Sequence, residues 1–171
     1  MLTRFIKRAE GQDGFTLIEL MVVVLIISIL IAIALPTFLG ARSRAQNRAA
    51  QSDLSNALVA AKVMYQDNSS YAFANEVAAT GLFTVEPSLC YAAAATLSTI
   101  GGACVSGGGG TNISVSAAAT TWGAARISAT GACYVIKDRS LFGTTYGSTI
   151  AANCSGTWAT TAGNVTGSSF P

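Results

Sequence analysis

At 171 residues, the chain has room for a membrane-spanning helix and one domain of ordinary size. Hydrophobic residues make up 51% of the chain, charged residues only 11%, and the formal net charge is +2, which excludes the strongly basic balance of a nucleic-acid-binding domain. Histidine is absent, so the commonest general base and metal ligand is missing.

A long apolar run begins at Phe15 and ends at Leu35. Among its 21 residues only Thr16, Glu19 and Ser28 are polar, and only Glu19 is charged. About 20 apolar residues are enough to cross a bilayer as a helix. A carboxylate inside such a helix costs on the order of 3 kcal/mol. The run therefore predicts a transmembrane helix in which Glu19 has an interaction partner and a functional role.

A short pattern stands at the head of this run. Residues 14–19 read Gly-Phe-Thr-Leu-Ile-Glu. The pattern resembles the processing site of bacterial type IV prepilins and type II secretion pseudopilins, and Pro36 lies where pilins of this family commonly place a helix-distorting proline. The resemblance implies that a prepilin peptidase cuts between Gly14 and Phe15 and methylates the new Phe15 amine. Residues 1–14 would then be a cleaved leader.

The resemblance also implies a role for Glu19 and Phe15 in assembly. Cleavage would create a positively charged amine at Phe15, about one helical turn before Glu19, so Glu19 could meet its own amine or that of the next subunit. In pilins, the similar glutamate is thought to neutralise the amine of the neighbouring subunit as the filament grows. A charge pair that is removed from water must be well matched if its attraction is to offset the cost of desolvation. We therefore expect the pair to fix the register between subunits more than to increase their affinity. The competing interpretation is a protonated carboxylate without a role.

An ordinary secretory signal peptide is the alternative interpretation of the N-terminus. Residues 32–34 read Ala-Ile-Ala, a small-x-small site that a standard signal peptidase could cut, leaving Leu35 as the first residue. The apolar run is longer than the usual core of about 7–15 residues, and Glu19 lies inside it. Both features favour the prepilin interpretation.

Charge alone does not fix the orientation of the helix. Three basic residues precede the run within residues 4–8, and three follow it within residues 42–48, so the positive-inside bias is balanced. All four cysteines lie after residue 89. Because disulfides form in oxidising compartments, the cysteines favour the C-terminal side being outside.

Helical periodicity continues beyond Pro36. Residues 41–66 contain neither proline nor glycine, which predicts an amphipathic helix over 37–67 and one long helix over about 15–67. Because Pro36 lacks a backbone donor, we expect a kink or local melting near residues 32–36. The predicted apolar face consists of Ala41, Ala45, Ala49, Leu54, Leu58, Ala61 and Tyr65.

Strand-like patterns dominate the predicted globular region, residues 68–171. A long N-terminal helix packed on a small antiparallel sheet is an α+β arrangement, and type IV pilins have this layout. The tail from Ser155 is predicted as surface loop with one short strand. The predicted strands are 112–117, 124–129, 132–137, 144–151 and 157–160, with a hairpin turn at Thr130-Gly131 and a loose loop at Gly101-Gly102 and Gly107 to Gly110.

The four cysteines, Cys90, Cys104, Cys133 and Cys154, allow three disulfide pairings. We favour the sequential pairing, in which the bond between Cys133 and Cys154 would close a C-terminal loop like the disulfide loop of many pilins. A zinc site is disfavoured because there is no histidine and no Cys-x-x-Cys. We therefore expect neither a metal nor a cofactor.

Other chemistry is not indicated by the motifs. No Lys-Ser/Thr follows Gly107 to Gly110, so these residues do not form a phosphate-binding loop. Asp138 and Asn153 lack the ligand spacing of a calcium site. Three basic residues within 126–139 are too few for a DNA-binding face, and a solvated strand edge is the preferred interpretation.

These observations favour a structural subunit over an enzyme. We expect a type IV pilin-like precursor that is cut at Gly14 and polymerised into a helical surface filament for adhesion, twitching motility or DNA uptake. The resemblance implies as partners other copies of the chain, the inner membrane before assembly, the prepilin peptidase, an assembly ATPase and its membrane platform. The alternatives are a pseudopilin of a type II secretion or competence system and a membrane-anchored binding domain that never polymerises.

Overall fold

The computed structural model describes residues 14–77, 79–104, 109–161 and 163–171. The chain divides into two compact units, Met1–Ala41 and Arg42–Pro171, and each is described by itself. Within the described residues there are two α-helices and seven strands. Their bounds are α1 Leu17–Asn68, β1 Tyr91–Ala92, β2 Gly102–Ala103, β3 Gly109–Gly110, β4 Ile113–Ala117, β5 Thr121–Ile127, β6 Cys133–Arg139, β7 Gly143–Thr149 and α2 Gly156–Thr160.

Helix α1 agrees closely with the predicted long helix. It begins at Leu17 and ends at Asn68, whose side chain donates a hydrogen bond of 2.9 Å to the carbonyl of Met64. Ser69 follows in the left-handed region, with φ of 54°, which stops the helix. The helix continues through Pro36, so the local melting expected near residues 32–36 is not seen, and a kink there stays a prediction.

A five-stranded sheet forms the centre of the second unit. Its strand order is β1-β4-β5-β6-β7, with β1 parallel to β4 and all other neighbours antiparallel. Strands β5 and β6 are joined by the predicted hairpin turn, where Gly131 has a φ of +87° that favours glycine. The predicted α+β architecture, with a long helix packed on a mostly antiparallel sheet, is confirmed.

One face of the sheet buries the second half of α1. Leu54, Leu58 and Ala61 are buried as predicted, and they pack with residues of β4, β5 and β6 such as Trp122 and Ile136. The prediction was wrong at Ala45 and Ala49, which are exposed, and at Ala41, which is also exposed. The buried residues of the helix are Ala50, Leu54, Ala57, Leu58, Ala60, Ala61 and Met64, a stripe of helical period that begins only at Ala50.

The opposite face of the sheet is covered by the C-terminal segment, which corrects the prediction of a surface loop. Residues 157–160 lie in helix α2, not in a strand, and Ser155 caps this helix by accepting a hydrogen bond from Trp158 N–H. Ala159 and Val165 are buried against Val135 of β6. Helix α2 packs so closely on β4 that a Cβ on Gly156 would lie 2.5 Å from the Ser116 nitrogen.

Alternation along β6 explains how one strand serves both faces. Tyr134 and Ile136 belong to the cluster with α1, while Cys133 and Val135 belong to the cluster with α2. Successive side chains of a strand point to opposite faces, so a central strand between two layers is apolar at consecutive positions. This is why the core of the second unit has two layers around one sheet.

The disulfides join the sequential pairs. Cys90 is bonded to Cys104 and Cys133 is bonded to Cys154, with Cα–Cα distances of 5.2 and 5.7 Å. The second bond ties the start of β6 to the segment before α2. Loops of this size are worth about 3 kcal/mol each, mainly by restricting the unfolded chain. Part of the glycine-rich loop is ordered, because β2 pairs with β3; residues 105–108 lie outside the described residues.

Tyr91 is fully buried, and its hydroxyl finds no hydrogen-bond partner among the described residues. Burial, and then the nearby charge of Glu86, raises the pKa of the Tyr91 hydroxyl above its ordinary value. The unfolded chain therefore releases this proton above about pH 10 while the folded chain keeps it, so stability falls as pH rises further, by about 1.4 kcal/mol per pH unit.

Tyr91→Phe should remove this contribution without cost at neutral pH, because it deletes an unpaired buried polar atom. We expect the free energy of unfolding at pH 7 to be unchanged or about 1 kcal/mol higher, and its decline above pH 10 to be less steep. Chemical denaturation of the full chain in detergent at pH 7 and above pH 10 measures both. A lower stability at pH 7 would contradict the assignment of Tyr91 as unpaired.

Candidate functional site

Thr16 and Glu19 cap the start of helix α1 through hydrogen bonds to each other. Thr16 donates to Glu19 Oε2 from its backbone nitrogen at 2.9 Å and from its hydroxyl at 2.6 Å. In return, Glu19 N–H donates to the Thr16 hydroxyl at 3.3 Å. This is a capping box, in which a Thr before the helix and a Glu three residues later satisfy each other's backbone donors. A carboxylate in the first turn is also favoured by the helix dipole.

Glu19 was predicted as a site residue from the sequence, but its contact with Thr16 was not. The signal was present, because Thr-x-x-Glu directly before an apolar run is the sequence form of a capping box. Its consequence is that Glu19 already accepts two hydrogen bonds within its own chain. A single carboxylate oxygen accepts both of them, so Oε1 remains available within the described contacts.

The apolar run that follows is exposed along its whole length in the first unit. The large apolar side chains from Phe15 to Leu39 are between 49% and 86% exposed. The described residues contain one helix that is long and apolar enough to cross a membrane, a test that a signal sequence near the N-terminus also passes. Ser28 donates to the carbonyl of Val24 at 2.7 Å, so its hydroxyl needs no outside partner.

Gly14 and Phe15 precede the helix and are exposed, so the predicted cleavage position is accessible. A Cβ placed on Gly14 would meet nothing within 4 Å. The contacts of the chain itself therefore do not require glycine here. The predicted N-terminal residues Gly14, Phe15 and Glu19 lie together at the start of α1, while the four cysteines belong to the second unit.

A buried carboxylate in the second unit was not anticipated as a structural feature. Asp138 in β6 is 3% exposed and lies 3.4 Å from the Lys62 ammonium of α1. It also accepts hydrogen bonds from the Tyr71 hydroxyl and, at 2.5 Å, from the Thr144 hydroxyl. Burial, and beside it the hydrogen bond to Asp138, raises the pKa of Tyr71. The network joins the end of α1 to β6 and β7.

Asp138→Ala should destabilise the second unit by about 2–3 kcal/mol, because it leaves the Tyr71 hydroxyl without an acceptor and Lys62 without its counter-ion. Lys62→Met is the comparison: it removes the ion pair but keeps the hydrogen bonds that Tyr71 and Thr144 donate to the buried carboxylate, so it should cost less, about 1 kcal/mol. Denaturant unfolding of both variants gives the comparison. Equal costs would contradict a central role for the carboxylate.

The basic residues of the sheet do not form the solvated edge that we expected. Arg126 forms an ion pair of 2.6 Å with Asp53 of α1, and burial lowers the pKa of Arg126 despite that partner. Lys137 is 4% exposed and donates to the carbonyl of Thr161 at 3.1 Å. Its pKa is lowered by burial and by Arg139. Among the described residues, no group of three or more His, Cys, Asp or Glu could hold a metal ion.

The chain is similar to known proteins over part of its length. The model of the prokaryotic N-terminal methylation motif matches residues 11–35. The type IV major pilin protein PilA of Myxococcus xanthus is 45% identical over 65 residues, which are 37% of this chain and 30% of that protein. The type IV wide pilus major component PilA4 of Thermus thermophilus is 46% identical over 63 residues, 36% of this chain and 47% of that protein.

A secretion protein is similar to the same degree. The type II secretion system core protein G of Vibrio cholerae is 44% identical over 66 residues, 38% of this chain and 44% of that protein. The chain thus spans less than half the length of each of these relatives. No solved structure matches the chain significantly. The chain carries the N-terminal methylation motif of prepilins, and its curated relatives are type IV pilins and type II secretion pseudopilins.

Proposed function

We propose that the chain is the structural subunit of a type IV pilus. The precursor is cut between Gly14 and Phe15, Phe15 is methylated, and the mature chain polymerises into a helical surface filament. The observation that carries this proposal is the coincidence of two findings: the methylation motif at residues 11–35 and the exposed apolar run of α1. A motif for processing and an unburied apolar helix are both expected of a subunit whose helix is buried only by other copies.

In this proposal the apolar run is buried both before and after assembly, in different surroundings. Before assembly, about 20 apolar residues hold the subunit in the inner membrane. After assembly, the runs of neighbouring subunits bury one another. At about 25 cal/mol per Å², burial of roughly 1,000 Å² per subunit contributes on the order of 25 kcal/mol gross relative to water. That amount accounts for the persistence of a filament outside the cell but not for extraction from lipid, which requires an assembly ATPase and its membrane platform.

Glu19 sets the position of each incoming subunit. Removal of residues 1–14 leaves a positively charged amine at Phe15 beside an otherwise apolar surface. The Glu19 carboxylate holds Thr16 through Oε2, and its Oε1 is available for a neighbouring amine. In a water-excluding filament core an unpaired charge is costly, so subunits that place amine and carboxylate together are selected over other registers.

A pseudopilin of a type II secretion or competence system is the second candidate. The similarity to core protein G, at 42% identity over 65 residues in Klebsiella michiganensis, favours it as directly as the similarity to PilA favours the pilus. The two functions differ in the filament. A pilus subunit builds long surface filaments, whereas a pseudopilin builds a short periplasmic fibre.

Deletion of the gene in a strain that produces the protein, with plasmid complementation, tests the proposal. We expect surface filaments in electron micrographs of the complemented strain and none in the deletion strain, with the chain as the main component of the sheared fraction. A loss of protein secretion with unchanged surface filaments would assign the chain to the pseudopilins. Unchanged filaments and unchanged secretion would leave a membrane-anchored domain that does not polymerise.

A further inference from the structure

Among the described residues of the second unit, some charged side chains form ion pairs and others do not. Two ion pairs join α1 to the sheet, between Asp53 and Arg126 and between Lys62 and Asp138. Within the described part of the chain, the three arginines that follow the apolar run have no ion pair, and all three are exposed. These residues are Arg42, Arg44 and Arg48. Exposed arginines that form no ion pair with the described residues are available for a contact outside the chain.

Two of these arginines form a pair on one face of the helix. Arg44 and Arg48 are four residues apart, so they are neighbours on the surface of α1. Arg42 is two residues from Arg44 and points to another side. The guanidinium groups of Arg44 and Arg48 therefore present two positive charges, each on a long apolar stem, to the same neighbour.

A surface hollow of about 130 Å³ further along α1 has the complementary chemistry. We call it the valine hollow, since its apolar walls include Val59 and Val63 of α1 and Val85, which are 62%, 40% and 40% exposed. Glu86 lines the same hollow. Its Oε1 accepts hydrogen bonds from Ser88, whereas its Oε2 accepts none from the described residues.

The geometry points to a second copy of this chain as the occupant of the valine hollow, with Arg44 and Arg48 of that copy as the side chains that fill it. Their apolar stems cover the exposed valines, and their guanidinium groups meet Glu86. Charge complementarity supports this occupant. Among the described residues, Glu86 Oε2 accepts no hydrogen bond, and Arg44 and Arg48 form no ion pair.

The two surfaces differ, so the contact is heterologous. A copy that inserts its arginines into a neighbour still exposes its own valine hollow to the next copy. Such a contact propagates and produces an open filament unless it closes into a ring. This inference rests on the proposed polymerisation and names the residues of one lateral contact between the second units of two copies.

A charge exchange tests the contact in cells. Glu86→Arg, and separately Arg44→Glu with Arg48→Glu, should each lower the yield of sheared filaments by at least about tenfold, since like charges face each other. Combining all three substitutions should restore most of the yield. Arg42→Glu is the matched control and should remain near the wild-type yield. Migration on non-reducing gels and protease resistance of the membrane-bound chain check that each variant is folded.

Failure of the combined variant to recover, although its membrane-bound form is folded, would overturn the inference. An equal loss in Arg42→Glu would overturn it as well, because it would indicate a general effect of charge. A second readout does not depend on filaments. The described cysteines are all in disulfides, so Arg48→Cys together with Val85→Cys introduces a new pair that should cross-link two copies in membranes under mild oxidation.

Each single cysteine variant should give little dimer, because the contact joins two different surfaces. Absence of the cross-link in the double variant, with both single variants folded, would contradict the contact. If the wild-type strain produces no filaments, the proposed function fails by that result alone. The cross-link then still decides whether copies associate through the valine hollow.

Discussion

Gly14→Val is expected to leave the chain entirely in its precursor form. A Cβ on Gly14 would meet nothing within 4 Å, so the substitution does not disturb contacts of the chain itself. Its effect would come from the peptidase, whose site must accommodate the residue before the cut. Immunoblots of whole cells should show one band at the precursor size, about 14 residues larger than the mature chain on the proposed cut between Gly14 and Phe15.

Gly14→Ala is the matched control for side-chain size, and it should be processed at least in part. Both variants should remain in the membrane fraction, because the apolar run is unchanged. Normal maturation of Gly14→Val would contradict the assignment of residues 1–14 as a prepilin leader. It would also favour cleavage elsewhere, with the Ala-Ile-Ala site at residues 32–34 as the first candidate.

Glu19→Gln is expected to abolish filaments while leaving mature protein in the inner membrane. The amide oxygen of glutamine can still accept hydrogen bonds from Thr16, so the capping box is largely kept. Only the negative charge is lost. An amine at Phe15 without its counter-charge in an apolar core is expected to cost several kcal/mol per subunit, on the order of a buried charge left unpaired.

Thr16→Ala separates the two roles of the carboxylate. It removes the hydroxyl that donates to Glu19 at 2.6 Å but keeps the charge, and loss of such a cap costs about 1 kcal/mol. Filament yield should therefore be close to that of the wild type. Filaments from Glu19→Gln and none from Thr16→Ala would show that Glu19 acts through the capping box and not through its charge.

The parts of the fold with a strong periodic signal were predictable. The helix was expected over about 15–67 and is α1, Leu17–Asn68, because neither proline nor glycine interrupts residues 41–66. The strands with alternating apolar residues appear as β4, β5 and β6, and β7 lies where a further strand was predicted. Periodicity reports which face of an element is buried, so it also predicted Leu54 and Leu58 in the core.

The parts that depend on tertiary contacts were not predictable. The C-terminal segment is rich in Ser, Thr, Gly and Ala, and this composition is typical of loops. In the structure, however, Ala159 and Val165 of this segment are buried. Helix α2, which contains Ala159, is only five residues long. Such a short helix has little stability alone and depends on packing against β4 and β5. The ion pair between Asp138 and Lys62 also joins residues that are 76 positions apart in sequence.

The candidate site was predictable in part for a physical reason. A charged residue in an apolar run is conspicuous in the sequence, so Glu19 was found. The capping contact with Thr16 was not predicted, because a carboxylate in an apolar helix first indicates a partner on another subunit, whereas Thr16 is only three residues away. The valine hollow gave no signal, since Val59 and Val85 are 26 residues apart in sequence and are neighbours only in the folded chain.

Mass spectrometry of the N-terminal peptide from sheared filaments would report peptidase processing and assembly together. We expect a peptide that begins at Phe15 and carries a methyl group on its amine. A peptide that begins at Leu35 would contradict it and indicate an ordinary secreted domain. An intact Met1 found only in membranes would also contradict it, because no amine would then exist at Phe15 for Glu19 to neutralise.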